Sequence, residues 1–119
     1  MPTATLGTVV LDCPDPRALA AFYAGLLGGT ADGDDEWITL TPATGAALAF
    51  QRAPGHVAPA WPSGDRSQQF HLDLTVPDLD SAEREALALG AKVLDAEDRE
   101  RGFRVYADPA GHPFCLCRD

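Results

Sequence analysis

A few residues in this sequence carry side chains able to do chemistry. His71 and Asp73 stand two apart in the run Gln69-Phe70-His71-Leu72-Asp73-Leu74-Thr75-Val76. An imidazole titrates near neutrality and can serve as general acid or base, and a carboxylate two residues on can orient it or bind a cation. Cys115 offers a nucleophile or a thiolate ligand, and Gln51 offers an amide that can hydrogen-bond a ligand. Trp37 and Trp61 offer flat apolar surfaces. His71 is therefore the candidate catalytic residue, and Gln51, His71, Asp73, Trp61, Cys115 and Trp37 are the candidate ligand-binding set. Each also has a plainer reading. A His–Asp pair can simply fix a strand, a free cysteine is commonly a small buried apolar residue, and a Trp can pin a loop to a sheet. His56 lies on the same loop as Trp61, and His112 beside Gly111 reads as exposed and structural. No phosphate-binding glycine loop, dinucleotide fingerprint or serine nucleophile motif is present.

Composition narrows the classes of partner. The chain has 119 residues, 45% of them hydrophobic, which suffices for one packed domain. The formal charge of −9 argues against a nucleic-acid partner, whose phosphates are bound by Lys and Arg. No apolar run is long enough to span a membrane, and no basic stretch precedes an apolar one at the N-terminus, so no secretory signal is expected. Three cysteines, an odd number without framework spacing, read as reduced thiols in a cytoplasmic protein.

The elements that must position these residues follow from pattern. A strand is predicted over Leu6 to Cys13, rich in β-branched residues and ended by Pro14. Asp15 is a good N-cap and Pro16 a good first helical residue. Leu19, Phe22, Tyr23, Leu26 and Leu27 then form one apolar stripe of a helix closed by Gly28-Gly29. Short strands are predicted over Glu36 to Thr41 and Ala46 to Gln51, with a weaker one near Thr30. A loop rich in Pro and Gly follows. The pattern then recurs: a strand over Phe70 to Val76, a helix capped by Asp78 and ended by Gly90, and strands over Ala91 to Leu94, Phe103 to Ala107 and His112 to Cys117. In this second helix Leu79, Ala82, Ala86 and Leu87 should face the sheet, while Glu83, Arg84 and Glu85 should be solvated. The acidic stretches 32–36 and 95–98 read as solvated surface. Asp108-Pro109-Ala110-Gly111 suits a type I turn.

The two caps, Asp15 and Asp78, lie 63 residues apart, and the closing glycines Gly28 and Gly90 lie 62 apart. The same order of strand, Pro, Asp cap, helix and Gly recurs, which marks an internal duplication. The modules are 1–53 and 68–119, joined by loop 54–67, and they should pack into a single domain. On the strand through His71, Leu72, Leu74 and Val76 should face the helix, and His71, Asp73 and Thr75 the opposite side.

Several segments carry a family resemblance. Asp12-Cys13-Pro14-Asp15 through Phe22-Tyr23 to Leu26-Leu27-Gly28, the run Gln69 to Val76, Leu89-Gly90-Ala91, and Phe103 through Asp108-Pro109-Ala110-Gly111-His112-Pro113-Phe114 together resemble the vicinal-oxygen-chelate superfamily. This is the glyoxalase, bleomycin-resistance and dioxygenase type, and the chain is most similar to a small glyoxalase-like subgroup of actinobacterial style. The resemblance implies an α+β fold of two tandem βαβββ modules forming an open half-barrel around a cavity, commonly as a homodimer. It also implies four metal-ligand positions, which here fall on Thr8, Gln51, His71 and Cys115. Only His71 is a strong ordinary ligand, and no carboxylate obviously completes the set, so no metal or other cofactor is expected, although a divalent metal is the family's alternative. The expectation is a small-molecule-binding protein whose cavity uses Trp37, Trp61 and Phe50, with Gln51, His71 and Asp73 as polar anchors and a cationic ligand favoured. The alternative is a lyase-, isomerase- or dioxygenase-type enzyme using His71, with or without a divalent metal, and a third reading is an accessory domain with a vestigial cavity.

Overall fold

The computed structural model describes residues 2–3, 5–62, 64, 67 and 69–118. Position 68, where the second module is expected to begin, and the terminal positions 1 and 119 lie outside the described residues. The chain forms two compact units, Met1–His56 and Val57–Asp119.

The first unit runs β1 (Thr8–Cys13), α1 (Pro16–Leu27), β2 (Thr30–Gly33), β3 (Trp37–Thr41) and β4 (Ala47–Arg52). Its sheet has the order β1-β4-β3-β2, with β1 and β4 parallel and the other pairs antiparallel. Asp15 caps α1 by accepting from the Ala18 N–H at 3.2 Å, and Pro16 opens the helix, where a missing N–H costs nothing. The stripe Leu19, Phe22 and Tyr23 is buried, and each such side chain contributes about 1.5–3 kcal/mol by leaving water. Leu27, expected on that stripe, is instead 44% exposed in the last turn.

Phe50 corrects the sequence reading more sharply. Its ring stacks on Tyr23 of α1, with centroids 5.7 Å apart and planes 8° from parallel, and it is fully buried. It belongs to the core under α1 and is no cavity lining. Its neighbour Gln51 points the other way, as strand alternation requires.

The second unit runs β5 (Leu72–Val76), α2 (Leu79–Leu89), β6 (Lys92–Asp95), β7 (Phe103–Ala107) and β8 (Pro113–Arg118). Its sheet order, β5-β8-β7-β6, repeats that of the first unit, again with the outer pair β5 and β8 parallel. The expected α+β class and the βαβββ repeat are what the chain adopts. β5 begins at Leu72, later than the expected Phe70, which is 86% exposed.

Helix α2 is held differently from α1. Only Leu79 and Ala86 are buried, and Leu87, expected to face the sheet, is 41% exposed. Polar contacts replace the missing apolar ones. Arg104 of β7, its side chain 4% exposed, pairs with Asp80 at 2.8 Å, and the Tyr106 hydroxyl donates to Glu83 at 2.8 Å. The expectation that Glu83 is solvated is therefore corrected: a carboxylate that accepts from a buried tyrosine and flanks a buried guanidinium must sit under the helix. Asp95, expected as solvated surface, is likewise half-buried and pairs with Arg101 at 3.3 Å.

The hairpin between β7 and β8 closes as expected. The Gly111 N–H donates to the Asp108 carbonyl at 2.8 Å, and the Asp108 side chain accepts from the N–H groups of Ala110 and His112. Gly111 has φ of +92°, which a side chain resists, and a Cβ there would meet the Ala58 Cβ at 2.4 Å. Among the described residues, no helix is long and apolar enough to cross a membrane.

Candidate functional site

Arg104 and Tyr106 reach α2, so the alternate residues of β7, Phe103 and Val105, face away from the helix. The pairing carries this face across the sheet: Val105 lies opposite Cys115, Phe103 opposite Cys117, and Cys115 and Cys117 lie beside Asp73 and Thr75. The face of the second unit away from α2 thus carries Asp73 and Thr75 on β5, two cysteines on β8, and Val105 and Phe103 on β7.

His71 immediately precedes β5. Its Nε2 lies 3.1 Å from Asp73 Oδ1, an ion pair whenever the imidazole is protonated. The Asp73 side chain is 62% exposed and that of His71 29% exposed. The half-buried ring of Trp61 stacks on the imidazole, with centroids 5.0 Å apart and planes 18° from parallel. The loop tryptophan thus lies flat against the imidazole.

Cys115 lies beneath them, 3% exposed. Burial, and then the negative charge of Asp73, push its thiol up to about 12. Cys117 is raised by the same two causes. Near neutral pH both are thiols, and a thiol is a poor nucleophile. The donor atoms of His71, Asp73 and Cys115 all lie within 4.8 Å of one another. Asp73, which lies outside the four positions implied by the family resemblance, brings a carboxylate to this group across the parallel β5–β8 pair.

This N, O, S donor set fits a zinc-like dication, which uses three protein ligands and an open position in catalytic sites. A bound dication would itself deprotonate the thiol.

Gln51 and Trp37 lie in the first unit. Gln51 pairs with Asp12 on one side and Trp37 on the other, so the three form one row across the sheet face opposite α1. Trp37 is 40% exposed, and its indole N–H donates to Thr39 at 3.0 Å. Thr8 pairs with Ala47 at the start of β1. His56 belongs to the turn after β4, where its N–H donates to the Ala53 carbonyl at 2.9 Å.

Sequence reasoning missed Arg101. It sits in the irregular stretch between β6 and β7, and its guanidinium lies 4.1 Å from the Phe103 ring centroid. No periodicity covers that stretch, so nothing in the residue pattern marks the side chain as turned to this face.

Two βαβββ units in tandem are the fold of the glyoxalase/bleomycin resistance/dioxygenase proteins, the vicinal-oxygen-chelate class. Solved structures agree in fold. A glyoxalase/bleomycin resistance protein/dioxygenase family enzyme from Burkholderia phytofirmans PsJN is 19% identical, with a TM-score of 0.75 over 97% of this chain and 98% of the other. A glyoxalase/bleomycin resistance protein from Albidiferax ferrireducens T118 is 13% identical, with a TM-score of 0.70 over 98% and 99%. Fosfomycin resistance protein FosX from Mesorhizobium loti is 12% identical, with a TM-score of 0.74 over 100% and 94%. The chain belongs to the glyoxalase-like domain family, whose profile matches residues 8–117. No curated protein matches its sequence.

Proposed function

We propose that this protein binds a small organic ligand bearing a cationic or hydrogen-bond-donating group, and that it does so without chemical turnover and without a metal. The observation that carries this reading is the exposed Asp73 carboxylate beside an imidazole backed by Trp61. A carboxylate in that place attracts a cation, and an aromatic wall holds a flat group. A fold neighbour named as a glyoxalase/bleomycin resistance protein supplies the analogy. On this reading the working form is a cytoplasmic homodimer.

The test is calorimetric titration with bleomycin and with planar aromatic amines, each compared with an uncharged isostere. Binding of the amine that Asp73→Asn weakens about tenfold or more is expected, in keeping with loss of a charge-assisted contact. Equal affinity for amine and isostere, or indifference to Asp73→Asn, refutes the reading.

The gathered donors favour a second reading, a lyase- or isomerase-type enzyme with a divalent metal. His71, Asp73 and Cys115 would hold the ion, which when bound would supply Lewis acidity to adjacent oxygens of a substrate. His71 would otherwise act as a base within reach of a proton on a ligand. Elemental analysis of the purified protein, beside His71→Ala, separates the two readings. Stoichiometric metal lost in the variant installs the second.

A further inference from the structure

We infer that Arg101 is a second ligand anchor on the face of the second unit away from α2, and that the ligand is amphoteric, with a cation at Asp73 and a carboxylate or similar acceptor at Arg101. This rests on the binding reading above and extends it to the class of ligand.

The guanidinium is fixed before any ligand arrives. Its Nε donates to the Phe103 carbonyl at 2.9 Å, Nη1 to Asp95 Oδ2 at 3.3 Å and Nη2 to the Asp95 carbonyl at 3.0 Å. A guanidinium has five N–H donors, so each terminal nitrogen keeps one N–H beyond these bonds. The Arg101 side chain is 25% exposed, which leaves those donors an approach. Its flat face rests on Phe103, which is 39% exposed and faces the same side as Cys117. At Cys115 its charge acts in the opposite sense to that of Asp73.

Val105 and Cys115, 2% and 3% exposed, are buried beneath this face, and the half-buried Cys117 with the 39% exposed Phe103 ring is the apolar surface a ligand can touch. Phe103 on β7 is two strand spacings from β5, roughly 10 Å. A flat ligand with opposite charges that distance apart matches Asp73 and Arg101 together, whereas a ligand with an amine alone leaves Arg101 uncontacted. Asp95 already offsets much of the arginine charge, so recognition here works through directed N–H groups more than through net attraction.

The experiment is calorimetric titration of the whole protein with three para-linked biphenyls, carrying aminomethyl and carboxylate groups at opposite ends, the amine alone, or the carboxylate alone. The amphoteric biphenyl should bind about tenfold or more tighter than the amine alone. Arg101→Gln should remove that gain. Asp95→Asn, which frees the guanidinium while keeping its place over Phe103, should enlarge the gain. A gain that survives Arg101→Gln, or that does not grow in Asp95→Asn, overturns the inference, and the binding reading still stands if the amine-only probe depends on Asp73. Loss of all Asp73-dependent binding overturns both.

Discussion

The Tyr106 hydroxyl donates to Glu83 at 2.8 Å, linking the middle of β7 to the second turn of α2. Burial alone would raise the Glu83 carboxyl. The bonds from Tyr106 and Arg99, with the charges of Arg99 and Arg104, outweigh that and hold it below the usual range. A carboxyl depressed in the folded state stabilises the fold above its unfolded value, near 4.3, and that stability is lost as pH falls through the folded value. Glu83→Gln should therefore flatten the acid limb of the stability profile below about pH 4.3, as read by urea unfolding at a series of pH values. An unchanged acid limb would place the titration elsewhere.

The same substitution strands Arg104. Its Nη1 lies 3.6 Å from Glu83, and neither Nη1 nor Nε makes a hydrogen bond among the described residues. Removing one member of a buried pair costs about 3–5 kcal/mol. Glu83→Gln should approach the lower end of that range at neutral pH because Asp80 remains paired with Nη2. Arg104→Met should cost distinctly less, since it removes the charge that needs compensation. Equal losses in the two variants would argue that packing of the long side chain, not charge, holds α2.

Much of this architecture was legible in the residues, and the misses share one cause. Asp15, Pro16 and Gly28 mark the ends of α1 because caps act locally, and Asp108 to Gly111 marks its turn for the same reason. The alternation on β5 put Asp73 on the side away from α2, but it could not show that β8 runs parallel beside β5. That pairing brings Cys115 to Asp73. Phe50 was misread because a single apolar run gives no sign of which residues face the helix. Glu83 was misread because a charged helical position looks solvated until its tertiary partners, Tyr106 and Arg104, are known.

Thiol chemistry gives an independent check on the site. With Cys115 pushed up to about 12 by burial and then Asp73, the thiolate is scarce near neutral pH. Iodoacetamide should label Cys115 in the native protein far more slowly than in urea, as followed by peptide mass analysis. Asp73→Asn removes the second cause and should speed native labelling only modestly, because burial, the first cause, remains. Rapid labelling of Cys115 in the unaltered protein would mean an accessible, activated thiol and would return the nucleophile reading to consideration.

Two glycines with nearly the same backbone angle separate strain from crowding. Gly45 has φ of +87° with open space where a Cβ would project, whereas Gly111 has φ of +92° with the Ala58 Cβ at 2.4 Å. Alanine at either position meets the left-handed penalty, about 1 kcal/mol. Only at Gly111 must a neighbour also move, and the neighbour belongs to the loop segment that carries Trp61. Gly111→Ala should therefore lower stability by roughly 1–3 kcal/mol more than Gly45→Ala in denaturant unfolding. By pushing that segment, it should also weaken the stacking of Trp61 on His71 and change the tryptophan emission of the folded protein, which Gly45→Ala should leave alone. Matching losses and unchanged emission in both variants would show that the 57–62 segment yields freely and does not hold Trp61 in place.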